Sequence, residues 1–203
     1  MDAKRAVKQL NEIKKLAKDL RLAADGWDED WKTLIATLMS ARTTDKITIP
    51  MAERLFVKYP NLVRLSKVDV NHIARIIKGV NFYKTKARNI SKLSKILVRE
   101  YNSQVPHNFE KLIELPGIGR KTANVFLAEK GHGRIGVDTH LTYVSNYLGW
   151  TKHKEQHKIE ADLEQIFPKR LWGKLNWIIV RFGQTYPNRR IKNEILDNIK
   201  RMK

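Results

Sequence analysis

The sequence contains no cysteine in its 203 residues. Disulfides, thiolate zinc sites, cysteine nucleophiles and cysteine-ligated iron-sulfur clusters are excluded together. Long apolar runs are missing as well, and none approaches the roughly 20 residues needed to span a bilayer. The opening stretch, MDAKRAVKQLNEIKKLAKDL, mixes acids with bases and lacks a secretory apolar core, so a soluble intracellular protein is expected. Acids are scarce: 21 Asp plus Glu face 40 Lys plus Arg, a formal net charge of +19. That excess favours a polyanionic partner through counterion release, with nucleic acid first; a merely solubilising surface bias is the bland alternative. With 42% hydrophobic and 30% charged residues the chain is globular rather than disordered.

Period-two alternation is also scarce, whereas apolar residues recur at helical spacing almost throughout. Val7, Leu10, Ile13, Leu16, Ala17 and Leu20 predict a first helix, and Trp31, Leu34, Ile35 and Leu38 a second after Asp28. A third covers Met51 to Phe56; Asp45 could cap it, although Pro50 would then sit awkwardly past the first turn. Val70, Ile73, Ile76 and Ile77 mark another, and Ala87, Ile90, Leu93 and Leu97 the next. After Pro106 a short helix carries Phe109, Leu112 and Ile113, and a helix from Arg120 to Glu129 ends at Gly131 and Gly133. Asp138 sits where the cap of a helix bearing Leu141, Val144 and Leu148 belongs. His157 to Phe167, Leu171 to Phe182 and a tail with Ile191, Ile195, Ile199 and Met202 on one side complete an all-α chain.

The most informative stretch is Leu115-Pro116-Gly117-Ile118-Gly119-Arg120-Lys121-Thr122-Ala123, between two short helical patterns. Glycines at 117 and 119 permit conformations and approaches that a side chain would block, so successive amides can face an anion. The start of the next helix adds its positive dipole end. Such a hairpin grips a phosphate without reading a base. An ordinary tight turn between core helices is the competing reading.

The run Leu115 to Ala128, followed by Gly136-Val137-Asp138-Thr139-His140, resembles the endonuclease III group of the helix-hairpin-helix DNA glycosylase superfamily. Weaker resemblance extends from about Trp31 to Gly183, through Leu38-Met39-Ser40-Ala41-Arg42-Thr43-Thr44-Asp45 and Phe82-Tyr83-Lys84-Thr85-Lys86-Ala87. The resemblance implies two helical lobes, 26–134 with the helix-hairpin-helix and 1–25 plus 135–203, flanking an interlobe DNA-binding groove. It implies a monomer that acts on double-stranded DNA containing a damaged base or an abasic site, without a membrane, and that is cytoplasmic and nucleoid-associated if the source is prokaryotic.

It also implies the chemistry. Rupture of an N-glycosidic bond builds positive charge on the sugar, and an amine can displace the base at the anomeric carbon. Lys121 is expected to be that amine, since a helix start disfavours a further positive charge. Asp138 is expected to stabilise the cationic transition state and to help deprotonate Lys121. The plain readings are a phosphate-contacting or solvated lysine and a simple helix cap. Attack gives a Schiff base, and elimination of the 3′ phosphate then nicks the strand.

Arg42 matches the position of a gap-filling side chain, usually glutamine, and Phe82 that of an apolar wedge, usually leucine. A surface arginine and a core aromatic are the alternatives. Leu115, Gly117, Ile118, Gly119 and Arg120 are expected at the DNA through the hairpin. Lys84, Lys86 and Arg88 are candidates for holding phosphates beside the wedge. Thr139 and His140 are expected to do the same or to line the base pocket, unless His140 serves the protein's own backbone.

Most of the family carries four cysteines after the last long helix, where this chain reads Gly183-Gln184-Thr185-Tyr186-Pro187-Asn188-Arg189-Arg190. No cofactor and no metal are therefore expected, with Ile191, Ile195 and Ile199 packing in place of the cluster and Arg189 and Arg190 contacting phosphate. The leading expectation is a bifunctional glycosylase for damaged, chiefly oxidised, pyrimidines. The alternatives are a G:T or G:U mismatch glycosylase of the same fold and a non-catalytic helix-hairpin-helix DNA-binding protein.

Overall fold

The structure, a computed structural model, describes residues Asp2 to Met202 and is all-helical, with no strand among them. Its contacts divide the chain into two compact units, Arg21–Phe126 and Met1–Leu20 with Leu127–Lys203.

The continuous unit holds α2 (Asp30–Ser40), α3 (Asp45–Lys58), α4 (Leu62–Ser66), α5 (Val70–Ile76), α6 (Tyr83–Glu100), α7 (Phe109–Glu114) and the start of α8 (Arg120–Glu129). Trp31 and every residue from Thr33 to Met39 of α2 are buried, so this helix runs through the unit's core. Trp27 and Trp31 meet Phe56 edge-on at 4.9 and 5.2 Å, fastening α3 to it. On α6 the buried face is Lys86, Ala87, Ile90, Ser91, Leu93, Ser94 and Leu97, and the helix packs on α4, α5 and α2.

The third helix is longer than its sequence suggests: it begins after Thr44 and contains Pro50. Proline removes one amide and crowds the carbonyl of Lys46. Burial of Thr48, Ala52, Leu55 and Phe56 on one face holds the helix regardless.

The other unit contains the end of α8, α1 (Ala3–Leu16), α9 (Thr139–Leu148), α10 (Gln156–Ile166), α11 (Lys169–Thr185) and α12 (Arg189–Arg201). Its core joins Leu10 and Ile13 of α1 to Leu141, Val144, Leu163, Ile179, Phe182, Leu196 and Ile199. The first helix stops four residues before Leu20, because the Lys18 amide donates to the Thr185 hydroxyl at 2.9 Å instead of continuing the helical ladder. Gln9 is buried with both ends of its amide bonded: its oxygen accepts from the Trp150 indole at 2.8 Å and its nitrogen donates to the Ile199 carbonyl at 3.3 Å.

The last helix is set by its cap, Asn188, whose side chain accepts from the amides of Arg190 and Ile191. Its inner face is Lys192, Leu196 and Ile199, with Ile195 partly buried against the core. Ile191 does not join that packing and remains 48% exposed, which corrects its expected place in the seam. No helix among the described residues is long and apolar enough to cross a membrane.

Candidate active site

The hairpin begins where α7 ends. Asn108 caps α7 through the Lys111 amide, and the chain turns at Gly117, whose φ of 80° lies in the left-handed region. A Cβ there would also stand 2.6 Å from Nδ2 of Asn89 on α6, so the position demands glycine twice over. At Gly119 a Cβ would meet nothing within 4 Å. The site is therefore open on the side where the first amides of α8, which lack carbonyls one turn behind them, are presented.

Leu115 and Ile118 are corrected. Their side chains are 4% exposed, and the Ile118 amide donates to the Leu115 carbonyl at 3.1 Å. They hold the turn from inside and offer no side chain to DNA. Arg120 is exposed, with its guanidinium 4.9 Å from the Phe109 ring centre.

We expect Gly117→Ala to cost on the order of 1–3 kcal/mol for a strained backbone, with displacement of Asn89 in addition. Gly119→Ala should cost only about 1 kcal/mol or less, the penalty of alanine at a helix cap. Urea unfolding of both variants checks the order; equal destabilisation would mean that neither the left-handed backbone of Gly117 nor the close approach of Asn89 has energetic weight.

Lys121 is the second residue of α8 and half-buried. Its amine has no ion-pair partner among the described residues of its unit.

Asp138 caps α9: its Oδ1 accepts from the Leu141 amide at 2.8 Å, and its carbonyl accepts from the Thr142 amide at 2.8 Å. Its other carboxylate oxygen takes no hydrogen bond among the described residues of its unit. The segment leading to it is pinned by Asn176, whose amide donates to the Gly136 carbonyl at 2.5 Å, and by the buried side chains of Ile135 and Val137. A half-buried carboxylate on a fixed backbone, with one oxygen used and one to spare, can serve as cap and as charge.

Thr139 next to it is exposed. His140 is half-buried, and a Cβ on Gly183 of α11 would collide with its ring, 2.2 Å from Nδ1. That contact explains the glycine in the middle of a helix and fixes the imidazole's place.

Arg42 and Phe82 both have left-handed backbones, φ 55° and 57°, a strained state for residues other than glycine. They stand together, with the Arg42 guanidinium 5.9 Å from the Phe82 ring centre. The phenyl ring is 61% exposed, so Phe82 is no core aromatic. Asn81 ties the two loops, donating from its side chain to the Arg42 carbonyl at 2.5 Å and from its backbone to the Thr43 hydroxyl at 3.1 Å.

Lys86 is corrected as a phosphate contact. It is buried, and its ammonium donates to the carbonyls of Met39 at 2.7 Å and Ala41 at 2.5 Å and to the Thr43 hydroxyl at 3.2 Å. Lys84 is exposed. It lines a cleft of about 420 Å³ with Arg88 and with Arg75 and Lys78, two cations that sequence reasoning passed over.

Arg189 and Arg190 are exposed at the head of α12. Arg190 pairs with Glu194 at 3.1 Å, and the Arg189 guanidinium lies 5.3 Å from the Tyr143 ring centre. Lys192 is buried beside that ring, at 5.9 Å, and burial together with the nearby Arg189 charge pushes its amine down from its ordinary value.

Comparison with known proteins bears on this arrangement. Residues 35–169 match the HhH-GPD superfamily of base excision DNA repair proteins. Endonuclease III of Thermotoga maritima is 37% identical over 157 residues, 77% of this chain and 74% of that one. The Bacillus subtilis endonuclease III is 34% identical over 156 residues, 76% of this chain and 71% of that one. Among solved structures, a trapped endonuclease III–DNA covalent intermediate in an estranged-adenine complex is 32% identical, with a TM-score of 0.84 over 93% of this chain and 89% of that one. A non-covalent endonuclease III–DNA complex gives 31% and 0.85 over 94% and 89%. A thermostable thymine-DNA glycosylase, 20% identical, shares the fold alone.

These relatives correct the expectation of a protein without a cofactor. Endonuclease III proteins normally carry an iron-sulfur cluster. A chain without cysteine supplies no thiolate, so its residues do not fit a cluster held in that way. The absence of one ligand type excludes only that ligation, and kinship with cluster-bearing proteins overturns the broader statement that no cofactor is used.

An open hairpin, a lysine at the head of its second helix, a half-free aspartate and a match over two thirds of the sequence point the same way. The chain belongs to the HhH-GPD superfamily of base excision DNA repair proteins, in its endonuclease III group of DNA glycosylase/abasic-site lyases.

Proposed function

We propose that this protein removes damaged bases, oxidised pyrimidines foremost, from double-stranded DNA and cleaves the strand at the resulting abasic site, with Lys121 as nucleophile and Asp138 as its carboxylate. One chain supplies both groups, so the reaction needs no second subunit. The observation that carries the reading is Lys121 at the head of α8, two residues after Gly119, beside which the hairpin leaves open space where a DNA backbone can approach. A relative of the same fold captured as a covalent DNA intermediate supports a nucleophilic step.

In this reading the hairpin amides hold a phosphate near the lesion while Arg42 and Phe82 enter the space left by the extruded nucleotide. The amine of Lys121 attacks C1′ as the bond to the base breaks, and the base departs with that electron pair and takes up a proton. Negative charge on Asp138 stabilises the oxocarbenium-like sugar and accepts a proton from the amine. Ring opening gives an imine between Nζ and C1′. Loss of a C2′ proton then expels the 3′ phosphate oxygen, and water releases the lysine.

Duplexes carrying thymine glycol, uracil opposite guanine, thymine opposite guanine or a preformed abasic site, assayed at one salt concentration with borohydride present, test the proposal. Thymine glycol and the abasic site should be cut and should yield a reduced covalent adduct. Preference for the guanine mismatches would transfer the substrate to that class. Binding without any adduct would leave only a DNA-binding hairpin.

A further inference from the structure

Lys86 is the buried cation for which phosphate binding has no use. It lies on the inner face of α6, one turn beyond Phe82, and its ammonium has three protons and three acceptors: the carbonyls of Met39 and Ala41 and the hydroxyl of Thr43. Met39 belongs to the last turn of α2, and Ala41 is that helix's C-terminal cap. A cation there complements the negative end of the helix and satisfies carbonyls left without amides.

The chain leaves α2 through Arg42, bent into the left-handed region, and α6 is entered through Phe82 in the same region. Neither residue is glycine, so each needs its surroundings to hold it there. Asn81 supplies two bonds between the loops, both exposed to solvent. Lys86 supplies three from the inner side, two of them to Ala41 and Thr43, which flank Arg42, and the third to Met39 in the last turn of α2.

We propose that Lys86 is a positioning residue that locks the α2 exit loop to α6, so that Arg42 and Phe82 stand as one rigid pair at the gap left by an extruded nucleotide. The inference rests on the proposed gap-filling role of that pair. Burial pushes the Lys86 amine down to about 8, so near neutral pH the three-proton form that matches its three acceptors prevails.

The test compares two substrates: a lesion paired in a duplex, where a gap must be opened and held, and the same lesion in an unpaired bubble, where it need not be. In Lys86→Met the side-chain length is kept and all three donors are lost. Its single-turnover excision rate on the paired lesion should fall by about tenfold to a hundredfold relative to its rate in the bubble, the scale of a small misplacement of aligned groups. Fluorescence of 2-aminopurine beside the paired lesion should rise less than with the parent protein. The slope of log affinity against log salt for undamaged duplex should not change, whereas loss of a phosphate contact would lower it by about 0.9. Lys86→Arg, which keeps a cation and several donors, should recover part of the paired-to-bubble ratio.

Equal loss on both substrates, or a lower salt slope, would overturn the inference in favour of general structural support or direct phosphate binding. Phe82→Ala separates the two levels of argument. If it leaves the paired-to-bubble ratio intact, the wedge reading fails; if it lowers the ratio while Lys86→Met does not, the wedge stands and the lock is wrong.

Discussion

Lys121→Gln should lose borohydride-trapped adduct completely and should lower strand cleavage at a preformed abasic site by on the order of a thousandfold or more, the scale set by removal of a covalent nucleophile. Glutamine keeps much of the length and polarity of the side chain but cannot form an imine. The residue is half-buried at the head of α8, where an uncharged substitute relieves a charge beside the positive end of the helix dipole. Folding should therefore be retained, and undamaged duplex should bind within about tenfold, since one phosphate-range charge among many is lost. Circular dichroism and duplex titration check those two controls. Persistence of the adduct would move the nucleophile to another amine, and Lys192, whose amine burial and Arg189 push downward, is the first to examine.

Asp138→Asn should lower base excision by about a hundredfold to a thousandfold, the range for loss of a preorganised charge that stabilises a cationic transition state. The same substitution should leave unfolding free energy within about 0.5 kcal/mol, because asparagine caps a helix as well as aspartate does. Asp138→Ala removes both functions and should cost about 1 kcal/mol of stability beyond its catalytic loss. Single-turnover excision beside urea melts of the two variants separates the roles. Full excision in the asparagine variant would leave the Leu141 hydrogen bond as the whole purpose of this carboxylate.

What was legible in the sequence follows from how local its signals are. The limits of α8 were readable because Pro116 and Gly117 precede it and Gly131 and Gly133, both with positive φ, follow it. The capping role of Asp138 was readable for the same reason: a cap and its helix lie within four residues. The start of α3 was obscured because Pro50 argues locally against a helix whose support comes from Trp27 and Trp31 packing on Phe56.

Lys86 was misjudged through its neighbours. Between Lys84 and Arg88 it reads as part of a basic surface, yet it stands four residues before Ile90, seven before Leu93 and eleven before Leu97, on the face that is buried. Lys192 repeats the lesson, three before Ile195 and seven before Ile199. Helical position outweighed charge in both cases, because the ammonium finds acceptors or a ring in the interior. Leu115 and Ile118 show the opposite case: both belong to the hairpin expected at the DNA, yet their side chains build the turn from within.

One of the two units is continuous in the chain, while the other is made from α1 together with everything after residue 126. Gln9 joins its first helix to its last through the Ile199 carbonyl, and Leu196 and Ile199 are part of the same core. During synthesis the unit spanning 21–126 has all its residues early and can fold as they leave the ribosome. The flanking unit must wait for α11 and then α12, the two helices that pack on α1, so Leu10 and Ile13 meet their final neighbours only late in translation.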